Sequence, residues 1–253
     1  MYQQDLELAV LCSQDAGQIA LRYWNSGVVA ETKPDTSPVT IADREAERAI
    51  VARLASERPD DGILGEEGAA RPSRSGRRWI VDPIDGTRDF VRGSRTWAVL
   101  IGLEDQGEVV AGVVLLPALG DTYWAVKNEG AFCNGECIHV SGIQHPSQAV
   151  LCVNGLNRAG REPWGAHLPE FAAGFWSVRS FGGCLDAAMV SRGQADLWIE
   201  PVAAAWDLAP LKILTEEAGG RFFNFDGGAS IHGGNCITCT PALENVARAF
   251  LGL

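Results

Sequence analysis

The chain has 253 residues, 46% apolar and 21% charged, which is ordinary globular composition with core enough for one large domain or two modest ones. Its 32 acidic residues outweigh 21 Lys and Arg, for a net charge of −11. With no block of basic residues, this argues against nucleic acid or an anionic membrane as the main partner, though not against a phosphorylated substrate, because bound cations reverse a local field.

Leu6, Val10, Ile19 and Tyr23 recur near helical spacing and predict an amphipathic helix over 5–24. Asp5 and Glu7 stand where a secretory leader would be basic, so no signal peptide is expected. Lys33 to Pro38 reads as a loop from its prolines and short polar residues. Thr40-x-x-Asp43 has the form of a capping box, ahead of a helix carrying Ala46, Ile50 and Leu54. Ile63 and Leu64 make a short apolar step into Gly65-Glu66-Glu67-Gly68, and 69–78 reads as a polar, basic loop.

From residue 79 the pattern changes. Segments 79–82, 97–103, 109–116 and 121–126 predict strands, with turns at Gln106-Gly107 and Gly120-Asp121. The longest apolar run, Val109 to Leu119, contains Gly112 and Pro117 and is too short to cross a bilayer. Residues 142–178, rich in Gly, Pro and Asn, read as the junction between two halves, 1–148 and 149–253. A helix over 183–193 and a strand over 195–199 follow. Asp207 to Ala218 predicts a helix closed by Gly219-Gly220. Strands at Arg221 to Phe225 and 236–239 precede a last helix opened by Thr240-Pro241. The expected class is α+β, with helices covering sheets.

Seven scattered cysteines suit reduced thiols in a cytoplasm, and the lone Cys236-x-x-Cys239 pair reads as strand core rather than a metal or redox motif. His139, His145, His167 and His232 have no zinc-site spacing.

The acids are more informative. In Trp79-Ile80-Val81-Asp82-Pro83-Ile84-Asp85-Gly86-Thr87 an apolar run ends in one carboxylate, a second follows three residues later, and Gly-Thr opens a helix. An acid is disfavoured inside a strand. A carboxylate pair beside a helix N-terminus suits a hard cation bridging protein and phosphate. Asp43, Glu66-Glu67, Glu200 and Asp207 also stand where elements start or stop. Taken singly, Asp207 reads as a helix cap and Glu66-Glu67 as a solvated loop. The chain has no P-loop, no EF-hand loop and no G-x-S-x-G elbow.

Gly65-Glu66-Glu67, Asp82-Pro83-Ile84-Asp85-Gly86-Thr87 and Trp206-Asp207 followed by Glu217-Ala218-Gly219-Gly220 together resemble the inositol monophosphatase superfamily. The resemblance implies a layered α/β/α/β/α sugar-phosphatase fold, magnesium as cofactor (two or three ions), a small phosphorylated metabolite as substrate and a homodimer. It implies that Glu66, Asp82, the Ile84 carbonyl, Asp85 and Asp207 ligate the metals. Thr87, with Glu66 and Asp43, would hold and activate the attacking water. The Gly86 and Thr87 amides would hold the phosphate, and Glu200 would be a substrate-binding acid. The chemistry suits that set. Phosphate monoester hydrolysis needs up to ~10²¹-fold acceleration. One general base supplies about 10²–10⁴-fold, so most must come from charge stabilisation by divalent ions and from positioning.

Asp89-Phe90-Val91-Arg92-Gly93, Trp97-Ala98, Pro117-Ala118-Leu119-Gly120 with Tyr123-Trp124-Ala125, and His232-Gly233-Gly234 resemble the bacterial histidinol-phosphate phosphatases of that superfamily. Those enzymes tend to carry Asp where this chain has Gly183. Asp186, one helical turn on, either replaces it as a substrate contact or supports the helix start. Histidinol phosphate is thus the expected substrate, with inositol-1-phosphate as the alternative. A non-catalytic metal-binding relative would require the loss of a ligand, and every expected acid is present.

Overall fold

The computed structural model describes residues 2–33 and 38–253; most of the loop expected over Lys33 to Pro38 lies outside them. The first part runs α1 (Gln3–Tyr23), the two-residue strands β1 (Glu31–Thr32) and β2 (Pro38–Val39), α2 (Ile41–Glu57), β3 (Gly62–Gly65), β4 (Ala70–Arg71), β5 (Arg77–Asp85) and α3 (Thr87–Val91). Then come β6 (Ala98–Asp105), β7 (Glu108–Leu116), β8 (Asp121–Val126), β9 (Gly130–Cys133) and β10 (Glu136–Ile138). Strands β3 to β10 form one sheet in the order β10-β9-β8-β7-β6-β5-β3-β4.

The second part runs β11 (Val150–Val153), α4 (Leu156–Ala159), α5 (Leu168–Ala173), β12 (Ser177–Arg179), α6 (Gly183–Ser191), β13 (Leu197–Glu200), α7 (Ala205–Glu217), β14 (Arg221–Phe223), β15 (Cys236–Cys239) and α8 (Glu244–Leu251). Its sheet has the order β12-β11-β13-β15-β14.

Side-chain alternation along the strands sorts these elements into layers. Trp79 and Val81 of β5, with Val99 and Ile101 of β6, pack on Leu6 and Ala16 of α1 and on Ile50 and Leu54 of α2. Ile80 and Leu100 point the other way, onto Val190 of α6 and Leu208 and Leu211 of α7; Cys152, Trp198 and Cys236 close that layer from the second sheet. The far face of the second sheet, Leu151, Leu197 and Ile237, meets Trp164, Leu168 and Leu243. The result is α+β with five layers, α/β/α/β/α. Because both faces of the main strands are covered, they read as continuous apolar runs.

The structure corrects two expectations. The stretch 69–78 holds the edge strand β4 and the start of β5, and the junction 142–178 holds β11, α4, α5 and β12. These pieces are two to six residues long, too short for a periodicity to show. The short strands β9 and β10 went unpredicted for the same reason. The capping box is as expected: Asp43 Oδ2 accepts from the Thr40 amide at 2.8 Å, and Thr40 Oγ1 from the Ala42 amide at 3.1 Å. Cys236 and Cys239 are strand core, and all seven cysteines are free thiols. No helix among the described residues is long and apolar enough to cross a membrane.

One contact positions the site. Gly102 and Gly112 face each other across β6 and β7. A Cβ on Gly102 would lie 2.8 Å from Ala209 Cβ, and one on Gly112 would lie 2.8 Å from Pro210 Cα. The pair forms a notch that lets α7 lie against the sheet, carrying Asp207 to the end of β5.

Candidate active site

Three separated chain segments deliver the acids. The β5 strand leaves its ladder where Pro83 has no amide to donate, and its register with β6 shifts between Asp82 and Asp85. Asp82 Oδ1 accepts from the Ile84 amide at 2.9 Å, which folds the turn back on itself. Gly86 follows at φ +81, a conformation that favours glycine, with the Thr96 carbonyl 3.2 Å from where a Cβ would stand. Thr87 Oγ1 lies 3.3 Å from both the Ile84 carbonyl and Asp43 Oδ1.

Asp43 and Asp207 share one design. Each occupies the third position of its helix and ties one oxygen back to the helix start. For Asp207 that bond is from the Ala204 amide to Oδ2, at 2.7 Å. The α7 helix therefore begins at Ala205, and Asp207 is not its N-cap.

Carboxylate oxygens of Asp82, Asp85 and Asp207 lie within 4.8 Å of one another. Burial, reinforced by Glu66, Asp85 and Asp207, holds the Asp82 carboxyl well above the ordinary range. Burial and Asp85 do the same to Asp207. Burial also raises Asp85, against hydrogen bonds from Cys184. The cluster thus crowds carboxyls that resist ionising together, and its donors are all oxygen. That donor set fits a hard divalent cation such as magnesium and not a thiolate- or imidazole-seeking one.

The cluster forms one wall of a cavity of about 640 Å³ between the two sheets. Glu66, Asp82, Ile84, Asp85, Gly86, Thr87, Gly183, Glu200 and Asp207 all line it. Asp43 does not, and reaches it through Thr87. Glu200 is buried at the end of β13. Its Oε2 accepts from the Asn154 side-chain amide and its Oε1 from the Val202 amide, the latter at 3.3 Å. Burial pushes the Glu200 carboxyl up to about 7 despite the Asn154 bond. Gly183 leaves room above that pair, since its Cβ would stand 3.3 Å from the Asn154 nitrogen.

Two residues fall elsewhere. Asp186 is fully buried outside the cavity lining, accepting from the Phe181 and Gly182 amides at 3.0 and 3.4 Å. It supports the start of α6, the second of the two roles open to it from sequence. His232 is exposed, with Nε2 3.3 Å from Arg78, and does not line the cavity either.

Three site residues went unread in the sequence. Lys33 places its ammonium 2.8 Å from Glu66 and 2.6 Å from Glu67, an encounter across 33 residues that leaves no local signal. Asn154 and Arg158 line the cavity from the end of β11 and from α4. Recognising β11 as a strand would have flagged Asn154-Gly155 as its functional end.

Fold and site together define an enzyme whose acidic, cation-ready cavity lies between two helix-covered sheets. The chain belongs to the inositol monophosphatase family, whose profile matches residues 1–250. It is 37% identical over 251 residues to a histidinol-phosphatase of Mycobacterium tuberculosis, covering 97% of this chain and 96% of that one. An inositol-1-monophosphatase of Mesorhizobium japonicum is 41% identical over 222 residues, covering 83% of each chain. The extragenic suppressor protein suhB of Bartonella henselae has a similar structure, with a TM-score of 0.93, 30% identity and 98% of each chain covered. Like the enzymes of its family, this chain is a phosphoric monoester hydrolase.

Proposed function

We propose that this enzyme is a magnesium-dependent, cytoplasmic phosphatase of L-histidinol phosphate. The observation that carries the reading is the juxtaposition, in one cavity, of the Asp82–Asp85–Asp207 cluster with Glu200, a buried acid that accepts hydrogen bonds from the neutral Asn154 side chain and Val202 amide. The cluster suits a cation-bound phosphate, and Glu200 suits the ammonium of an amino-alcohol ester. The full-length similarity to a protein named histidinol-phosphatase supports the same substrate.

In this reading Glu66, Asp82, the Ile84 carbonyl, Asp85 and Asp207 would hold the metal. Bound magnesium would neutralise charge on the phosphate and acidify water. The Gly86 and Thr87 amides hold phosphate oxygens at the start of α3. Thr87 Oγ1 takes a proton from the attacking water while passing its own to Asp43 Oδ1, the acceptor already 3.3 Å away. Glu66 orients that water, and the departing alkoxide is protonated from solvent. The reaction needs no covalent nucleophile.

The test is kcat/KM for histidinol phosphate, inositol-1-phosphate and fructose-1,6-bisphosphate, and histidinol phosphate is expected to rank first. Inositol-1-phosphate in first place would overturn the substrate assignment and favour the second reading, which the Mesorhizobium relative supports. The preference should also depend on pH. The Glu200 carboxyl, raised to about 7, is mostly neutral at pH 6 and mostly ionised at pH 8. The advantage of the cationic ester over the neutral polyol ester should therefore grow as pH rises across that range. A flat ratio would remove Glu200 from substrate recognition. The sign for stability is opposite: ionising a group whose folded value is raised lowers stability as pH climbs from the ordinary carboxylate range through 7.

The enzyme is further proposed to be a homodimer. Strand β12 is a sheet edge, and Trp176, Val178 and Phe181 on and beside it are 72%, 41% and 42% exposed. An open edge flanked by apolar side chains invites pairing with a second copy. Light scattering should give twice the chain mass, and Trp176→Asp should shift it toward one. A monomeric native enzyme would end this proposal.

A further inference from the structure

We propose that Glu47, a residue of α2 outside the cavity, is a positioning residue that presets Glu66 for cation binding. The proposal rests on the reading of Glu66 as a metal ligand. Glu47 follows Asp43 by one helical turn, so both acids leave the same face of α2. Asp43 turns to Thr87, and Glu47 turns to the segment that carries Glu66.

Glu47 is 5% exposed. Its Oε2 accepts from the Glu67 amide at 2.8 Å and its Oε1 from the Ala69 amide at 3.0 Å. The carboxylate thus fills the concave side of the turn from Gly65 to Ala69. Gly65 is shaped to it, since a Cβ there would stand 2.3 Å from Oε2. The turn is closed by the Gly65 amide on the Ala69 carbonyl at 2.7 Å, and the Glu66 amide reaches the Val81 carbonyl at 3.1 Å, next to Asp82. The backbone around Glu66 is therefore held by β5 on one side and by Glu47 on the other.

Two acceptor oxygens are needed here, and no neutral side chain of this length supplies both. Gln at 47 would face one of the two amides with its own NH₂ group, leaving a buried donor unmet. The turn would loosen, and with it the direction of Glu66. Lys33 already competes for Glu66 with its ammonium. A loosely held Glu66 would give way to that partner more readily than one fixed toward Asp82. Groups that orient a metal ligand are worth about 10–100-fold in affinity when removed.

The experiment uses the full-length enzyme and Glu47→Gln, with Glu66→Gln as the control. Magnesium binding is read by calorimetry and by the magnesium-induced rise in Tm, and activity is read against magnesium concentration. Glu47→Gln is expected to weaken magnesium binding by about 10–100-fold. The magnesium concentration for half-maximal rate should rise by a similar factor, with a smaller fall in kcat. A lower Tm with native magnesium affinity would make Glu47 a merely structural acid and overturn the proposal. If Glu47→Gln does not fold, Gly65→Ala presses on the same carboxylate from the other side and should also weaken magnesium binding; native affinity there would overturn the proposal equally. Glu66→Gln separates the two ideas. Weak binding in it with native binding in Glu47→Gln rejects Glu47 alone, whereas native binding in both rejects Glu66 as a ligand.

Discussion

Asp85→Asn is expected to lose about 10³-fold or more in kcat/KM while its metal-free form melts above the wild type. The two effects have one cause. Asp85 stands among Asp82, Asp207 and Glu66, in a site whose burial already disfavours ionised carboxyls. Without a cation, each added negative charge there raises the free energy of the folded state. Asn keeps the shape and removes the charge, so the folded protein gains stability. The same change removes an anionic ligand, and with it the charge stabilisation that hydrolysis requires. Thermal melts with and without magnesium, together with phosphate release from an aryl phosphate, check both halves. A near-native rate would remove Asp85 from the metal site. A lower metal-free Tm would reject the repulsion argument. Such trade-offs between stability and activity are common at strained functional sites.

Gly112→Val should lower Tm by roughly 5–10 °C and kcat/KM by about 10²-fold. The Cβ would lie 2.6 Å from Ile213 Cγ2 and 2.8 Å from Pro210 Cα, so it meets helix backbone and not merely the end of a mobile side chain. Overpacking of this kind costs about 1–3 kcal/mol, and β-branching adds bulk in the same direction. The helix that must yield is α7, with Asp207 in its first turn. A displacement of about 1 Å at such a group is enough for the expected loss of rate. Differential scanning calorimetry and steady-state kinetics on one preparation decide the point. A depressed Tm with native kinetics would show that the seating of α7 does not set Asp207.

Asp82, Asp85, Gly86 and Thr87 were legible because a strand does not ordinarily end in two acids and a Gly-Thr. Asp43 was legible as a cap, but nothing within α2 says that its second oxygen meets a threonine 44 residues away. Asp186 was ambiguous because one helical turn can face either a cavity or its own helix start, and only packing chooses. The strands β9 to β12 were silent for want of length, and Asn154 was lost with β11. Lys33 was lost because a loop lysine has no pattern to break.

The residues alone determined which acids exist, that each lies near the start or end of an element, and the order of the longer helices and strands. Those are local facts, set by periodicity, caps and turn chemistry within a few residues. Only the tertiary structure decided which acids meet. Asp82 and Asp207 are joined because two glycines, opposite each other on neighbouring strands, let a helix from the far half of the chain come close to the sheet. Glu66 is set beside them by parallel pairing of β3 with β5, an arrangement whose register depends on contacts distant in sequence. Strand register and the closeness of helix to sheet are properties of packed surfaces, and no single stretch of chain contains them.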